Sequence, residues 1–501
     1  MDNRLSRPTL VCGAAFAAAA IWVVVEHVSV AVLPYDDAFI TYRYVDNLVR
    51  GAGLTYNPPV HAWGFTSPLY VLWLAALRLL LPGIDLPAIA ARGNATFMIA
   101  AGAATLLLVR RYTASLGIAT IAACILMVHP SLLSISVGGM ESVLFLTLAL
   151  FAMLAISSDR PATAGVLIGL SFLTRPEAVV LLPLAAIWHW RAPRKLGVLL
   201  LCTAALPGVW LAFAAIYFHS LVPLSIIAKN RPLYPLPAGH ALRTISGYLG
   251  PALFGPLTPT HGRNRMVALL FLVAGIACLS PRLRTRGAWM PGLFVILLIA
   301  LYDYGNPMFF EWYWPAVLGT ALPAVIVGSA ALPRGVRWGG PIWLAALTLV
   351  AYRDNASGQS KSIRFVTEDA TRLRIVTYER IGKYLSALTG GHDSIAAAEV
   401  GALGYYYRGP MIDACGLVSP EAIQFLPVPP DQRAGAAVAA IPTDLIQSTN
   451  PDWVVTMPIF ARESLMRSDW FAERYELVQT VLLPRICFDS LHVLVYKKRA
   501  R

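Results

Sequence analysis

Long apolar blocks alternate with short polar stretches over residues 1–352 of the chain. A helix crosses a bilayer with roughly 20 consecutive apolar residues, so each block near that length is predicted as a membrane span. The pattern predicts about eleven spans, which cover residues 10–32, 91–109, 116–131, 141–158, 162–175, 177–191, 195–218, 265–281, 287–303, 313–332 and 338–352. This region is therefore predicted to be an all-α, polytopic membrane domain.

The first long interruption of the pattern directly follows the first span. Within it, residues 36–50 have the periodicity of an amphipathic helix, with Asp36 and Arg43 on the polar face, which is typical of a helix on a membrane surface. Residues 67–82 are apolar but short, and they include Arg78. If they crossed the membrane, the basic loops after them would lie outside, against the positive-inside rule. We therefore predict a second surface helix there.

The composition supports a membrane protein and excludes other classes. Hydrophobic residues make up 57% of the 501 residues and charged residues only 13%, whereas roughly 25% charged residues is usual in soluble proteins. Disordered, collagen-like, coiled-coil and simple soluble proteins are therefore excluded.

The net charge of +13 arises from 40 Lys and Arg against 27 Asp and Glu. Most of the basic residues lie in short loops between apolar blocks, so the positive-inside rule explains them better than nucleic-acid binding, which we do not expect. The rule predicts a multi-pass protein of the plasma (inner) membrane, in contact with membrane lipids, with a cytoplasmic N-terminus. Residues 33–90 and 219–264 then become the first and fourth outer loops.

The chain becomes more polar from residue 353 onwards. Helical patterns such as residues 371–390 alternate there with strand-like segments at 394–400, 410–418, 452–457 and 490–498. This alternation predicts a small α/β domain over residues 353–501, on the periplasmic or extracellular side. Cys415 and Cys487 lie in this domain and are candidates for a disulfide if the compartment is oxidising.

Asp36 and Asp37 stand together just outside the first predicted span. One interpretation is a polar helix start, because acidic side chains are favoured at a helix N-terminus. Alternatively the two carboxylates do chemistry. Adjacent helical side chains diverge by about 100°, so only one can point at a given substrate atom. The other would orient it, raise its pKa by like-charge repulsion or hold a metal ion.

Several motifs resemble those of the GT-C superfamily of integral-membrane glycosyltransferases, which use sugars linked to lipid phosphates. The motifs are YDDAFITYRYVDNLVRGAGLTYNP (35–58), WGFTSPLY (63–70), GGMES (138–142), LTRPE (173–177), PLSIIAK (223–229) and FEWYW (310–314). The motif sequences most resemble those of the bacterial arabinofuranosyltransferase-like group, and more distantly those of protein O-mannosyltransferases and lipid A aminoarabinose transferases. That group often has an acid just before GYTS, where this chain has Ala62 and Trp63; His61 is a candidate substitute.

The resemblance implies a GT-C fold with juxtamembrane helices and an inverting transfer of one sugar from a polyprenyl-phosphate donor. By resemblance Asp36 is the general base and Asp37 supports it. The departing phosphate is anionic and needs cations nearby, for which Lys229 is the first candidate and Arg175 the second. Arg43 is a third candidate ligand of the donor phosphate. Alternatively, it only forms an ion pair with Asp36.

Other motif residues are candidate substrate ligands. They are Glu141, His61, Trp63, Thr66, Glu311, Trp312 and Tyr313. Aromatic residues stack on sugar faces, but interfacial belts explain Trp and Tyr equally well. A divalent ion at Asp36, Asp37 and Glu141 would have oxygen ligands. No zinc-type cysteine and histidine spacing occurs, and no cofactor is expected to be required.

The sequence leaves three functions open. The first is a glycosyltransferase that acts on a glycan, lipid or protein outside the membrane, with arabinofuranose as a candidate donor sugar. The second is a transporter or flippase of a lipid-linked sugar. Transport usually requires ionisable residues within the spans, and the middles of the predicted spans contain almost none, so this function is disfavoured. The third is a non-catalytic membrane scaffold that displays the α/β domain.

Overall fold

The computed structural model describes residues 7–29, 34–231, 233–254, 281–333, 335–356 and 370–500. The chain divides into two compact units, each assembled from three separate segments. The first unit comprises Met1–Val32, Ala90–Trp210 and Ala238–Phe365. The second comprises Leu33–Ile89, Leu211–Pro237 and Val366–Arg501.

The described part of the first unit is built from helices. Their bounds are Arg7–Ser29, Leu86–Thr113, Leu116–Val128, Pro130–Val137, Ser142–Ser157, Pro161–Phe172, Leu181–His189, Pro193–Tyr217, His240–Phe254, Pro281–Thr285, Met290–Gly305, Trp314–Ala330 and Gly339–Ala356. Short 3-10 helices lie at Pro176–Val180 and Glu311–Tyr313. Most of these helices are apolar on all sides, as expected of helices in a membrane or in a buried helical core.

Among the described residues, four helices are long and apolar enough to cross a membrane. They are Arg7–Ser29, Leu86–Thr113, Pro193–Tyr217 and Glu311–Ala330. Leu116–Val128 and Pro130–Val137 count as a fifth span if this pair, bent by 49°, is taken together. The sequence pattern predicted about eleven spans. Apolar helices occupy most of the other predicted positions, but several are only 10–17 residues long, short of the roughly 20 that a bilayer requires.

Two segments of the prediction are described separately here. The span predicted at 265–281 lies outside the described residues, apart from Pro281. The helix Pro68–Leu80 has 13 residues and belongs to the second unit. A helix of that length extends for about 20 Å, which is too short to cross the roughly 30 Å hydrocarbon core. This length agrees with the predicted surface position.

Glycines allow close helix packing in the core of the first unit. A Cβ atom added at Gly319 would lie 2.4 Å from the Leu146 side chain, and one at Gly165 would lie 2.3 Å from the Leu199 carbonyl oxygen. Small residues permit this close approach of helices in membrane proteins. The helices Ser142–Ser157 and Trp314–Ala330 are buried along most of their length and form the centre of this unit.

The second unit combines helices with a five-stranded sheet. The strands are β1 (Ile395–Ala397), β2 (Met411–Asp413), β3 (Trp453–Thr456), β4 (Tyr475–Cys487) and β5 (Ser490–Lys498). Their order in the sheet is β2-β1-β3-β5-β4. β1 pairs in parallel with β2 and β3, whereas β5 is antiparallel to β3 and β4. The four predicted strands are all present, and β4 is an additional strand.

The helices of the second unit come from both outer-loop segments and from the tail. Their bounds are Asp36–Val49, Pro68–Leu80, Leu224–Asn230, Ala370–Thr389, Gly401–Tyr407, Thr443–Thr449, Pro458–Ala461 and Asp469–Arg474. The 3-10 helices are Pro420–Phe425, Pro430–Gln432 and Leu465–Arg467. Residues 33–89, which the sequence analysis placed in a domain over 1–352, thus pack with the tail.

Cys415 and Cys487 are not joined in a disulfide. Both are buried, and the Cys415 thiol donates a hydrogen bond to the Ala398 carbonyl oxygen at 3.2 Å. The structure therefore does not bear out the disulfide considered from the sequence.

Candidate active site

Asp36 is the first residue of the helix Asp36–Val49, and it connects this helix to the tail. Its Oδ2 accepts a hydrogen bond from the backbone N–H of Gly401 at 3.1 Å, and its Oδ1 accepts one from the N–H of Ala402 at 2.9 Å. Both donors belong to the start of the helix Gly401–Tyr407, where N–H groups lack partners within the helix. Asp36 therefore caps a helix of the tail, and it is only 7% exposed.

Burial is also the main influence on the ionisation of Asp36. It raises the pKa of this carboxyl to about 7, and the neighbouring charge of Glu399 raises it further. The charge of Arg374 and the hydrogen bond from Ala402 act in the opposite direction. A carboxyl with a pKa near neutrality can exchange a proton under physiological conditions.

Asp37 has a different environment from Asp36. Its side chain is partly exposed, whereas that of Asp36 is buried. Burial raises the pKa of Asp37, whereas the positive charges of Lys229 and Arg374 lower it. Asp37 is therefore the more accessible member of the pair.

Lys229 lies on the short helix Leu224–Asn230, within electrostatic range of Asp37. The structure thus brings together the two carboxylates and the first candidate phosphate ligand of the PLSIIAK motif. Because all three belong to the second unit, the predicted base and the predicted counter-charge share one compact body.

Arg374 and Glu399 are members of this charged cluster that the sequence analysis missed. The Nη2 and Nε atoms of Arg374 lie 2.6 and 2.8 Å from the Glu399 Oε1 atom. The Glu399 Oε2 atom is buried, and no hydrogen bond to it is found among the described residues. Glu399 follows β1 closely, and ligands of α/β sheets bind beyond the carboxyl ends of parallel strands. The position of Glu399 at the end of a predicted strand could have indicated a site residue, but nothing in the sequence linked Glu399 to Asp36.

Arg43 is fully engaged by the protein and does not pair with Asp36. Its guanidinium donates to the carbonyl oxygens of Tyr56 at 2.8 Å, Gly404 at 2.6 Å and Gly409 at 2.7 Å, and to the Asn57 Oδ1 atom at 3.1 Å. It also lies 4.2 Å from the centre of the Tyr56 ring. Arg43 therefore holds the first outer loop against the tail, and this set of contacts does not favour a role in binding phosphate.

The WGFTSPLY motif lies in the second unit as well. His61 is exposed and stacks on Tyr217 with ring centres 4.2 Å apart. Trp63 is buried and stacks on Phe218 with ring centres 5.7 Å apart. Thr66 is partly exposed, just before the helix Pro68–Leu80. These contacts make Trp63 a packing residue and leave His61 and Thr66 accessible.

The remaining predicted residues form a separate cluster in the first unit. The Arg175 guanidinium bonds to the Glu141 carboxylate and to the Glu177 carboxylate, each at 2.7 Å. It also lies over the Tyr313 ring, 4.6 Å from its centre. Two carboxylates already neutralise Arg175, so a phosphate would have to displace one of them. This arrangement supports a structural ion cluster rather than a phosphate ligand.

The FEWYW motif borders the same cluster. Trp312 stacks on Phe310 with ring centres 4.5 Å apart, and its carbonyl oxygen accepts a hydrogen bond from the Ser142 hydroxyl at 2.6 Å. Glu311 begins the 3-10 helix Glu311–Tyr313. The sequence analysis did not include Glu177 in the site, although it lies two residues after Arg175 in LTRPE.

The described residues contain no group of three or more His, Cys, Asp and Glu side chains that could hold a metal ion. The candidate divalent site at Asp36, Asp37 and Glu141 therefore receives no support from the geometry. The functional argument below concerns only the side chains themselves.

Comparisons with known proteins bear on the fold. Residues 363–496 match a family described as a domain of unknown function, DUF8728. No curated protein sequence matches the chain significantly. The chain is similar in structure to ArnT from Cupriavidus metallidurans bound to undecaprenyl phosphate, with a TM-score of 0.62, 13% identity and 99% of each chain covered. The apo state of ArnT gives a TM-score of 0.60 at 13% identity, with 96% of each chain covered.

These similarities confirm the predicted fold class. The chain has a helical fold similar to that of ArnT, with a small C-terminal sheet domain, and its apolar helices agree with a multi-pass membrane protein.

Proposed function

We propose that this protein transfers one sugar from a polyprenyl-phosphate donor to an acceptor hydroxyl on the outer side of the membrane. The observation that carries the proposal is the Asp36–Asp37 pair, with Lys229 within electrostatic range of Asp37. Support also comes from the fold, because one similar structure is that of ArnT bound to undecaprenyl phosphate.

Asp37 is the general base in this proposal. Its carboxylate takes the proton of the acceptor hydroxyl while the acceptor oxygen forms a bond to the anomeric carbon of the sugar. The bond between that carbon and the phosphate oxygen breaks in the same step, and polyprenyl phosphate departs with the electron pair. A single displacement of this kind inverts the anomeric configuration. General-base catalysis contributes about 10²–10⁴-fold to such reactions.

Asp36 is the positioning residue, which exchanges the roles expected from the sequence. Its two oxygens already accept hydrogen bonds from Gly401 and Ala402, so it fixes the start of the helix that carries Asp37. Lys229 provides positive charge for the phosphate as negative charge develops on the departing oxygen.

The identity of the substrates is a further part of the proposal. The resemblance of the first outer loop to arabinofuranosyltransferases makes arabinofuranose the first donor sugar to test. The acceptor is a glycan, lipid or protein of the cell envelope. The basic loops support an inner (plasma) membrane protein with a cytoplasmic N-terminus and an outer tail.

The test uses full-length protein in lipid nanodiscs with synthetic polyprenyl-phosphate sugars and a panel of acceptors. We expect product with inverted anomeric configuration, and at least a 100-fold loss of turnover in Asp37→Asn with an unchanged melting temperature. Asp444→Asn is the matched control because Asp444 is exposed in the same unit; it should retain full turnover.

Two results would contradict parts of the proposal. Full loss of turnover in a well-folded Asp36→Asn variant, with activity retained in Asp37→Asn, would return the base to Asp36. Movement of lipid-linked sugar across vesicle membranes, without any glycosylated product, would instead support a flippase.

A further inference from the structure

Arg433 is a buried cation of the tail, and no carboxylate of the described residues forms an ion pair with it. It is 8% exposed and follows the 3-10 helix Pro430–Gln432. Its Nη2 atom donates to the carbonyl oxygens of Leu233 at 2.6 Å and Val438 at 3.0 Å. Its Nε and Nη1 atoms are buried and have no hydrogen-bond partner among the described residues. Two donors of one guanidinium are therefore unused.

Two other arginines of the same unit differ from Arg433. Arg374 pairs with the Glu399 carboxylate, and Arg43 donates to four oxygen atoms. A buried charge without a counter-charge is strongly unfavourable, and so are buried donors without acceptors. An anion from outside the chain would remove both penalties at Arg433, since a guanidinium binds phosphate and carboxylate oxygens through charge-assisted hydrogen bonds.

The residues around Arg433 indicate which anion its guanidinium binds. Its bond to Leu233 fixes the segment that follows the helix Leu224–Asn230, which carries Lys229. Tyr234 and Cys415 lie within electrostatic range of Arg433. The same two residues also lie within electrostatic range of Asp37. Arg433 thus belongs to the neighbourhood of the proposed base and of Lys229.

We propose that Arg433 is a ligand for the phosphate of the lipid, which is a diester in the sugar donor and a monoester in the departing polyprenyl phosphate, so that the tail domain itself contributes to the phosphate site. This inference rests on the proposed function in its choice of a lipid phosphate, whereas the anion site itself rests on the unused donors. A free phosphate ion has the same chemistry and must be distinguished by experiment.

The test measures binding and thermal stability of full-length protein in nanodiscs. The probes are a short-chain polyprenyl phosphate, the corresponding polyprenol without phosphate, and inorganic phosphate. We expect Arg433→Gln to bind the polyprenyl phosphate at least 10-fold more weakly. Its melting temperature without ligand should not fall, because an unpaired buried charge has been removed. Arg433→Lys should give an intermediate affinity, since it retains the charge but loses donors.

Arg467→Gln is the matched control, because the Arg467 side chain is 68% exposed and pairs with Glu463; its affinity should equal that of the wild type. Wild-type affinity in Arg433→Gln would overturn the inference while the proposed function stands. A lower melting temperature in Arg433→Gln, with its lipid-induced stabilisation retained, would make Arg433 a structural residue. Wild-type protein that binds inorganic phosphate but no polyprenyl phosphate would contradict the lipid ligand and the proposed donor together.

Discussion

The Asp36 carboxylate and the Gly401 backbone are in direct contact across 365 positions of the sequence. The Gly401 N–H donates to Asp36 Oδ2 at 3.1 Å, and a Cβ atom at Gly401 would lie 1.9 Å from the Asp36 carbonyl oxygen. Position 401 therefore requires glycine because of the close approach of another backbone. The first outer loop and the tail are fitted to each other at the acidic pair.

This contact predicts the effect of a methyl group at position 401. Gly401→Ala should destabilise the second unit by about 1–3 kcal/mol, the usual range for overpacking, and should lower transfer activity because it displaces Asp36. Thermal unfolding and the transfer assay measure the two effects. Gly435→Ala is the control, since the nearest atom to its Cβ would be 4.0 Å away. Equal stability of the two variants would contradict the close contact.

The raised pKa of Asp36, about 7, predicts that stability depends on pH. The folded protein holds the Asp36 proton more tightly than the unfolded chain, whose carboxyl has a pKa of 3.8. Stability should therefore be greatest in mildly acidic solution and decrease as the pH rises through about 7. The charges facing Asp36 come from Glu399, Arg374 and Asp37. Asp413 should make stability depend on pH in the same direction, since burial also raises the pKa of its carboxyl to about 7.

The measurement is the melting temperature of the protein in nanodiscs between pH 5 and 8. Asp36→Asn should reduce the slope of melting temperature against pH, because one titrating group is lost, and the remaining slope should come mainly from Asp413. An unchanged slope in Asp36→Asn would show that Asp36 does not titrate in this window.

The sequence predicted the elements better than the contacts between them. Apolar runs identified most helices, since burial in membrane or core requires a continuous apolar surface. β4 was missed because most of its side chains are exposed, so it lacks a clear alternation of apolar and polar residues. Asp36, Asp37 and Lys229 were found through local motifs. The sequence analysis did not find Arg374, Glu399 and Arg433. These residues belong to the tail, and no sequence pattern predicts that the tail contacts the outer-loop segments.

The absence of a disulfide between Cys415 and Cys487 predicts a simple chemical result. All six cysteines of the chain should react with a thiol reagent after denaturation without a reductant. In the folded protein Cys415 and Cys487 should be protected, because both are buried. The mass of the labelled protein counts the modified thiols. Four labels after denaturation, with these two cysteines unmodified, would demonstrate a disulfide.

Substitutions in the ion cluster of the first unit can distinguish a structural role of Arg175 from a role in binding the donor. Arg175→Gln leaves the Glu141 and Glu177 carboxylates buried together without their shared cation. Removal of one partner from a buried ion pair usually costs about 3–5 kcal/mol, so we expect a large decrease in melting temperature. Glutamine at all three positions keeps neutral hydrogen-bonding groups and should restore most of the stability.

A phosphate ligand would behave differently in the same experiment. Arg175→Gln would then have a normal melting temperature and a raised KM for the polyprenyl-phosphate sugar, and the triple variant would not recover activity. We expect instead that activity follows stability, and that the triple variant retains transfer once it is folded. Because Lys229 and Arg433 belong to the unit that carries Asp37, loss of donor binding should be confined to substitutions there.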